Sequence, residues 1–307
     1  MKLRTTLCAL LLAVPAVQAD ELLLNQRALL LDDARLPREA ALDRLQQVRF
    51  AFREAAAEDG EWPLWARAYG QHGSWDGGME RDGEGLLLGL DRALGGQWVA
   101  GALLGTSRSR LDQGAAHSHD DSQYLGVYAA TRVYYQLGFK LGFIHGWHDL
   151  EHGSARSQQV FGESSFALDF RDFTLEPFAG LALQRLDAGS TRGAGLRLPG
   201  ADEEAGYLSL GWRLTAPWYL GARKWVGHAS LALRQDLGSD SLNSRAWSEQ
   251  GEPLSLSSRE FERSTLRLDL SLDHELSRQL YLGLTYAGQY ADDARDNALA
   301  ARLSLKF

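Results

Sequence analysis

The amino-acid sequence predicts an all-β protein, a twelve-stranded antiparallel transmembrane β-barrel with an N-terminal α-helix in its lumen. Three observations carry this. First, the C-terminal segment alternates strictly: Leu299, Ala301, Leu303, Leu305 and Phe307 fall on one strand face, Arg302, Ser304 and Lys306 on the other. Such a strand at the open edge of a soluble sheet would recruit other chains. A closed barrel in lipid has no edge, and alternation of lipid-facing with lumen-facing residues is its signature. Second, the chain opens with an export signal. Third, its connections alternate between short and long.

Residues 1–19 read as a secretory signal peptide. Lys2 and Arg4 precede the apolar run from Leu7 to Ala16, and Val17-Gln18-Ala19 supplies small residues before Asp20. The run is too short to span a bilayer, and no later stretch reaches the about 18 apolar residues a spanning helix needs. Cys8, the only cysteine, lies within this segment, so the mature chain is held without disulfides. Lysine and arginine total 32 against 40 acidic residues; without Lys2 and Arg4 the mature chain carries 30 against 40, a charge of −10. That balance argues against a nucleic-acid partner. A slightly polar mean hydropathy alongside 45% hydrophobic residues suits a barrel, where every second strand residue faces water.

Residues 20–61 form a short N-terminal segment. Within it Ala41, Leu42, Leu45, Val48, Phe52 and Ala55 trace one side of a helix over 36–58, with Pro37 in its first turn and Gly60 beyond its end. At ~1.5 Å per residue it is about as long as a bilayer core is thick. Its girdle of Arg38, Arg44, Arg49 and Arg53 with Glu39, Asp43 and Glu54 forbids lipid contact, which leaves a solvated or coiled-coil helix or one inside a pore.

From Trp62 to Phe307 the period changes to two. Strands are expected near 64–73, 84–92, 97–110, 121–132, 136–149, 159–171, 174–187, 204–215, 225–236, 260–274, 278–291 and 296–307. Leu208, Leu268, Leu270 and Leu282 are expected to face lipid. Glu176, Arg213, Arg267, Asp269 and Arg302 are expected to face the lumen, Glu176 paired with an arginine. Short turns are expected near Gly95, Tyr134-Tyr135, Asp172 and Ser277, and longer polar loops at 74–83, 111–120, 150–158, 188–203 and 237–259. Short turns on one rim and long loops on the other match the outer-membrane arrangement. Aromatic residues gather at the short-turn rim, Trp98, Trp218, Tyr219, Trp225, Tyr281 and Phe307 among them, as expected at an interface.

Three segments, Gly89 to Ser109, Phe173 to Gly180 and Arg295 to Phe307, resemble the β-domain of bacterial autotransporters of type V secretion, over roughly 62–307. The resemblance implies a twelve-stranded barrel in the bacterial outer membrane, threaded by a helix, that helps carry an N-terminal passenger to the cell surface. The 36–58 helix stands where that family's pore helix would, and Leu303, Leu305 and Phe307 resemble the signal read by the barrel-assembly machinery. The implied partners are outer-membrane lipids, that machinery and periplasmic chaperones. With only about fifteen residues from Asp20 to Leu36, the expectation is a translocator without a sizeable passenger, an orphan or surface scaffold, or one whose passenger is encoded separately.

No enzymatic activity and no cofactor or metal are expected. There is no G-x-S-x-G elbow and no H-E-x-x-H. The clusters His117-Ser-His-Asp-Asp121 and His145, His148 and His152 fall at or near expected loops and read as hydrated loop residues rather than zinc ligands or bases. The alternatives are a small-solute porin or gated channel and, behind it, an outer-membrane hydrolase.

Overall fold

The computed structural model describes residues 22–31, 35–48 and 63–305, apart from 96, 134–135, 194, 222, 239–240, 249 and 278. Its strands are β1 (Leu64–Trp75), β2 (Met79–Leu94), β3 (Trp98–Gln113), β4 (Ala116–Val133), β5 (Leu137–Leu150), β6 (Gly153–Phe166), β7 (Leu168–Asp169), β8 (Thr174–Ala188), β9 (Thr191–Gly193), β10 (Leu196–Leu198), β11 (Ala201–Leu220), β12 (Arg223–Asp236), β13 (Asn243–Ser248), β14 (Pro253–Ser257), β15 (Ser264–Ser277), β16 (Leu280–Tyr290) and β17 (Ala294–Leu305). Twelve of them pair antiparallel in chain order, β7 being a two-residue flap on β8, and β17 returns to pair with β1 from Leu64↔Leu305 to Trp75↔Ala294. The sheet closes on itself, so every ladder hydrogen bond is internal. No described helix is long and apolar enough to cross a membrane; the strands cross instead.

Each of the twelve expected strands has an observed counterpart. Three of the expected long loops do not exist as loops. β1 and β2 are joined by residues 76–78, where Gly77 and Gly78 take φ of 84° and 73°; β3 and β4 are joined by 114–115 and β5 and β6 by 151–152. The polar residues read as loop belong to strands that extend past the apolar belt, where alternation continues but neither face is apolar. The other two, 188–203 and 237–259, hold the short strands β9, β10, β13 and β14, which form a separate four-stranded sheet in the order β14-β13-β10-β9.

Strand alternation divides the wall. Leu104, Leu125, Val127, Leu141, Val160, Leu183, Leu210, Leu284 and Leu299 point outward and are exposed, and together they make an apolar belt far larger than a water-soluble surface carries. Leu208 and Leu270 lie on that face exposed, Leu268 and Leu282 half-buried. At the short-turn rim Trp98, Phe170, Trp218 and Tyr219 are exposed, while Tyr281 departs from the girdle expected of it: it is buried and faces inward, opposite Ser304. Inside, glycines make room for flat aromatic rings. A Cβ on Gly89 would lie 2.4 Å from Trp65, and one on Gly142 2.3 Å from Phe161.

One helix occupies the lumen and another its mouth. The lumenal helix, α2 (Arg35–Gln46), begins one residue before the expected 36–58 helix and continues as a wider turn through 48; the remainder of that helix, with Arg49 and Arg53, lies outside the described residues, as do the signal segment and Phe307. Pro37 sits in its first turn, where a missing N–H costs nothing. The helix at the mouth, α1 (22–31), was not expected. It crosses the barrel end that carries the four-stranded sheet, and Leu23, Leu24, Ala28, Leu30 and Leu31 pack against Leu186, Leu196, Leu198, Leu242 and Ala246.

Candidate functional site

The functional feature is the occupied lumen. α2 is two-faced: Leu36, Ala40, Ala41, Leu45 and Val48 pack on an aromatic wall made by Trp65, Tyr69, Tyr124, Tyr128 and Phe161 with Leu87, Leu103 and Ile144. Its charged side chains reach the wall as matched pairs. Arg44 grips Asp91 through two hydrogen bonds, Nε to Oδ2 at 2.6 Å and Nη2 to Oδ1 at 2.9 Å, and donates from Nη1 to Gln47 and Ser304. Asp91 also accepts from the Tyr128 hydroxyl, which accepts from Trp65 Nε1 at 2.7 Å. Arg35 donates to Asp296 at 2.5 Å, and Arg81 from β2 donates to the same carboxylate. Glu39 forms an ion pair with Arg267, N to O 2.7 Å, and Asp43 accepts from Arg67 at 2.6 Å.

At the last turn of α2, Gln46 joins three wall residues. Its Nε2 donates to Glu176 at 2.9 Å, and its Oε1 accepts from Lys140 at 2.7 Å and from Arg213 at 3.2 Å. Lys140 and Arg213 both pair with Glu163, and Arg213 stands 3.8 Å from Glu176, its direct cross-strand neighbour. Arg302 pairs with Asp273 at 2.6 Å, and Asp269 lies 3.5 Å from Arg267. Arg38 lies over the Tyr207 ring, 5.8 Å from its centroid. The structure thus brings Glu176, Arg213, Arg267, Asp269 and Arg302 onto the inner wall, three of them in contact with α2. A buried charge without a partner is expensive, so each pair fixes the helix's height and rotation.

Sequence reasoning passed over Arg35, Asp91, Glu163 and Asp296. Inward parity marks all three acidic residues, because each lies an even number of residues from an inward-facing neighbour on its strand. Which of the twelve walls would meet the helix is not coded in that parity.

α1 ties the other end shut. Asn25 donates to Gln113 at 3.0 Å and accepts from the Arg259 backbone, Gln26 donates to the His119 carbonyl, and Arg27 reaches the Pro199 and Gly189 carbonyls and the Thr191 hydroxyl. Burial lowers the Arg27 pKa and nearby Glu203 opposes the shift, so the guanidinium remains a cation.

Of the histidine clusters only His152 lies in a connection, the turn at 151–152; the others are strand residues. His117 to Asp121 lie on β4 and His145 and His148 on β5. His148 is 1% exposed and bridges two hydroxyls, Ser122 at Nδ1 (2.7 Å) and Ser157 at Nε2 (2.8 Å), with Asp120 beyond Ser122 at 3.1 Å. Among the described residues no group of three or more His, Cys, Asp or Glu could hold a metal ion.

The model of the autotransporter β-domain family matches residues 64–287 of this chain. The chain belongs to that family. The β-domain is similar to two extracellular serine proteases of Serratia marcescens, at 26% and 25% identity, each alignment covering 90% of this chain and 29% of the relative. It therefore spans less than a third of those curated relatives. Among solved structures, the translocator domain of autotransporter NalP from Neisseria meningitidis shares the fold at a TM-score of 0.70 and 16% identity, over 92% of this chain and 99% of that one. The β domain of the Bordetella autotransporter Brka shares it at 0.66 and 20% identity, over 80% and 100%. The β-domain resides in the bacterial outer membrane, with its apolar belt in the bilayer.

Proposed function

We propose that this autotransporter translocator barrel performs no chemistry of its own and is closed at rest by its N-terminal helices, residues 22–48. The observation that carries the reading is the charge matching between α2 and the wall, with Arg44 on Asp91, Glu39 on Arg267 and Arg35 on Asp296. A segment tied to the wall by several buried ion pairs is a resident plug rather than a chain in transit. On this reading a passenger, whether joined to this chain or encoded separately, crosses before the helices seat. The protease activity named for the Serratia marcescens relatives does not extend to residues 62–307. In support, His148 has a hydroxyl on each nitrogen rather than a carboxylate orienting it, and Ser157 is buried. We further propose that Leu303, Leu305 and Phe307 are read by the barrel-assembly machinery, that periplasmic chaperones deliver the chain to it, and that the lumenal set Glu176, Arg213, Arg267, Asp269 and Arg302 serves to seat the plug.

Single-channel recordings in planar bilayers test the plug. The intact mature chain should conduct ions poorly, and a variant lacking residues 21–60 should show a larger, steadier conductance. Equal conductance of the two forms would instead favour the porin reading.

A further inference from the structure

The four-stranded sheet above the barrel has two unlike faces. Its inner face, Leu196, Leu198 and Ala246, packs on α1 together with Leu242, which precedes β13. Its outer face carries Arg192, Arg197, Trp247 and Arg245, and pairing sets them in order: Arg192 is opposite Arg197, and Arg197 is opposite Trp247, on neighbouring strands. Arg245 lies two residues from Trp247 on β13. With strands about 4.8 Å apart and about 3.4 Å per residue, one guanidinium stem starts about 5 Å to one side of the indole and another about 7 Å along it. All three arginines are exposed, and among the described residues none has an ion-pair or hydrogen-bond partner; the facing residues of β14 are Pro253, Ser255 and Ser257, and the nearby β13–β14 turn brings Glu252. Trp247 is 39% exposed. Arg192, Arg197 and Trp247 border a depression of about 1070 Å³.

Three exposed arginines around an exposed indole, on a chain of net charge −8, form a local exception to its charge. Arginine binds carboxylate, sulfate or phosphate through paired N–H donors, and an exposed indole offers a flat apolar face to a ring that also carries polar groups. We propose that this face is a binding site for an anionic polysaccharide, one sugar ring seated on Trp247 and its acidic substituents held by Arg192, Arg197 and Arg245. Long connections of outer-membrane barrels are extracellular, which puts this sheet at the cell surface, where such polymers are met, and binding itself does not depend on whether the lumen is plugged.

The test uses the full mature chain in zwitterionic detergent, titrated into a fluorescently labelled heparin octasaccharide and followed by polarisation. Binding is expected, weakening as salt rises, and neutral maltooctaose should not compete. Trp247→Ala and Arg197→Ser should each weaken binding about tenfold, the scale of a desolvated cation or ring contact, with Arg197→Lys between them and the native protein. All these positions are exposed, and an unchanged heat-modifiable gel shift verifies the fold. No binding, or binding that Trp247→Ala and Arg197→Ser leave unchanged, would overturn the site. Equal affinity for a single-stranded DNA octamer, indifferent to Trp247→Ala, would reduce the face to a bare cationic patch and overturn the glycan assignment.

Discussion

Arg44 shows how single residues hold the plug. Four of its five N–H donors are used, two on Asp91 and one each on Gln47 and Ser304. Both members of the pair are 1% exposed, so neither can turn to water if the other is lost. Asp91→Ala should therefore cost ~3–5 kcal/mol, the scale of an orphaned buried charge, whereas Arg44→Met together with Asp91→Leu should recover most of it. Denaturant unfolding of the detergent-solubilised chain measures both; an Asp91→Ala variant as stable as the native chain would show that the pair contributes nothing. At this scale the sequence was partly legible. Arg38 and Arg44 were recognisable as charges that must avoid lipid, because a helix with a charged girdle has few other places to be. The partners were not: Asp91, which takes Arg44, lies on β2, and Asp296, which takes Arg35, lies on β17 and comes beside β2 only through closure of the ring.

Among the elements, α1 shows where periodicity fails. Its segment Leu22-Leu-Leu-Asn-Gln-Arg-Ala-Leu-Leu-Leu31 has leucine or alanine on every side, with Asn25, Gln26 and Arg27 between them, and carries no stripe of period 3.6. A helix apolar on every side is one buried on every side. Here it is covered by the barrel end below and the four-stranded sheet above. Leu24 is fully buried in that cluster, and Leu24→Asp would place an unpaired carboxylate among leucines. Trypsin should then cut at Arg27, which is shielded in the native chain, while the barrel keeps its heat-modifiable mobility; continued protection of Arg27 would mean α1 is not held by this cluster. The strands were far more legible, since twelve alternating runs recur with their inward and outward sets intact. Their ends were not: past the bilayer both faces turn polar, and a strand that is polar on both faces looks like a loop until its partner is known.

For the whole molecule the decisive property is the closed ring with lipid outside and a packed, charged interior. Leu284, at 56% exposure, points into the belt. Leu284→Arg should cost ~2–4 kcal/mol if it lies near the bilayer midplane. Urea titration of folding into lipid vesicles reads this directly, and a substitution without cost would put Leu284 outside the hydrocarbon. Glycines serve the same architecture from within: Gly89 and Gly142 leave space for Trp65 and Phe161 to lie against the wall, which lets α2 pack on rings rather than on a ragged surface.

The sequence alone determined the barrel, its strand number and which residues face which solvent, because alternation is a local property enforced by the two solvents a membrane wall must meet at once. It also determined that a charged helix belonged inside. Only the tertiary structure decided how that helix is seated, that a second helix lies above it, and that two long connections fold into a sheet with a basic outer face. Those features depend on which strands become neighbours across the lumen and over its mouth. Pairing between residues as far apart as Arg35 and Asp296 leaves no periodic trace in the chain, since it is set by closure of the ring and by the requirement that buried charges find partners.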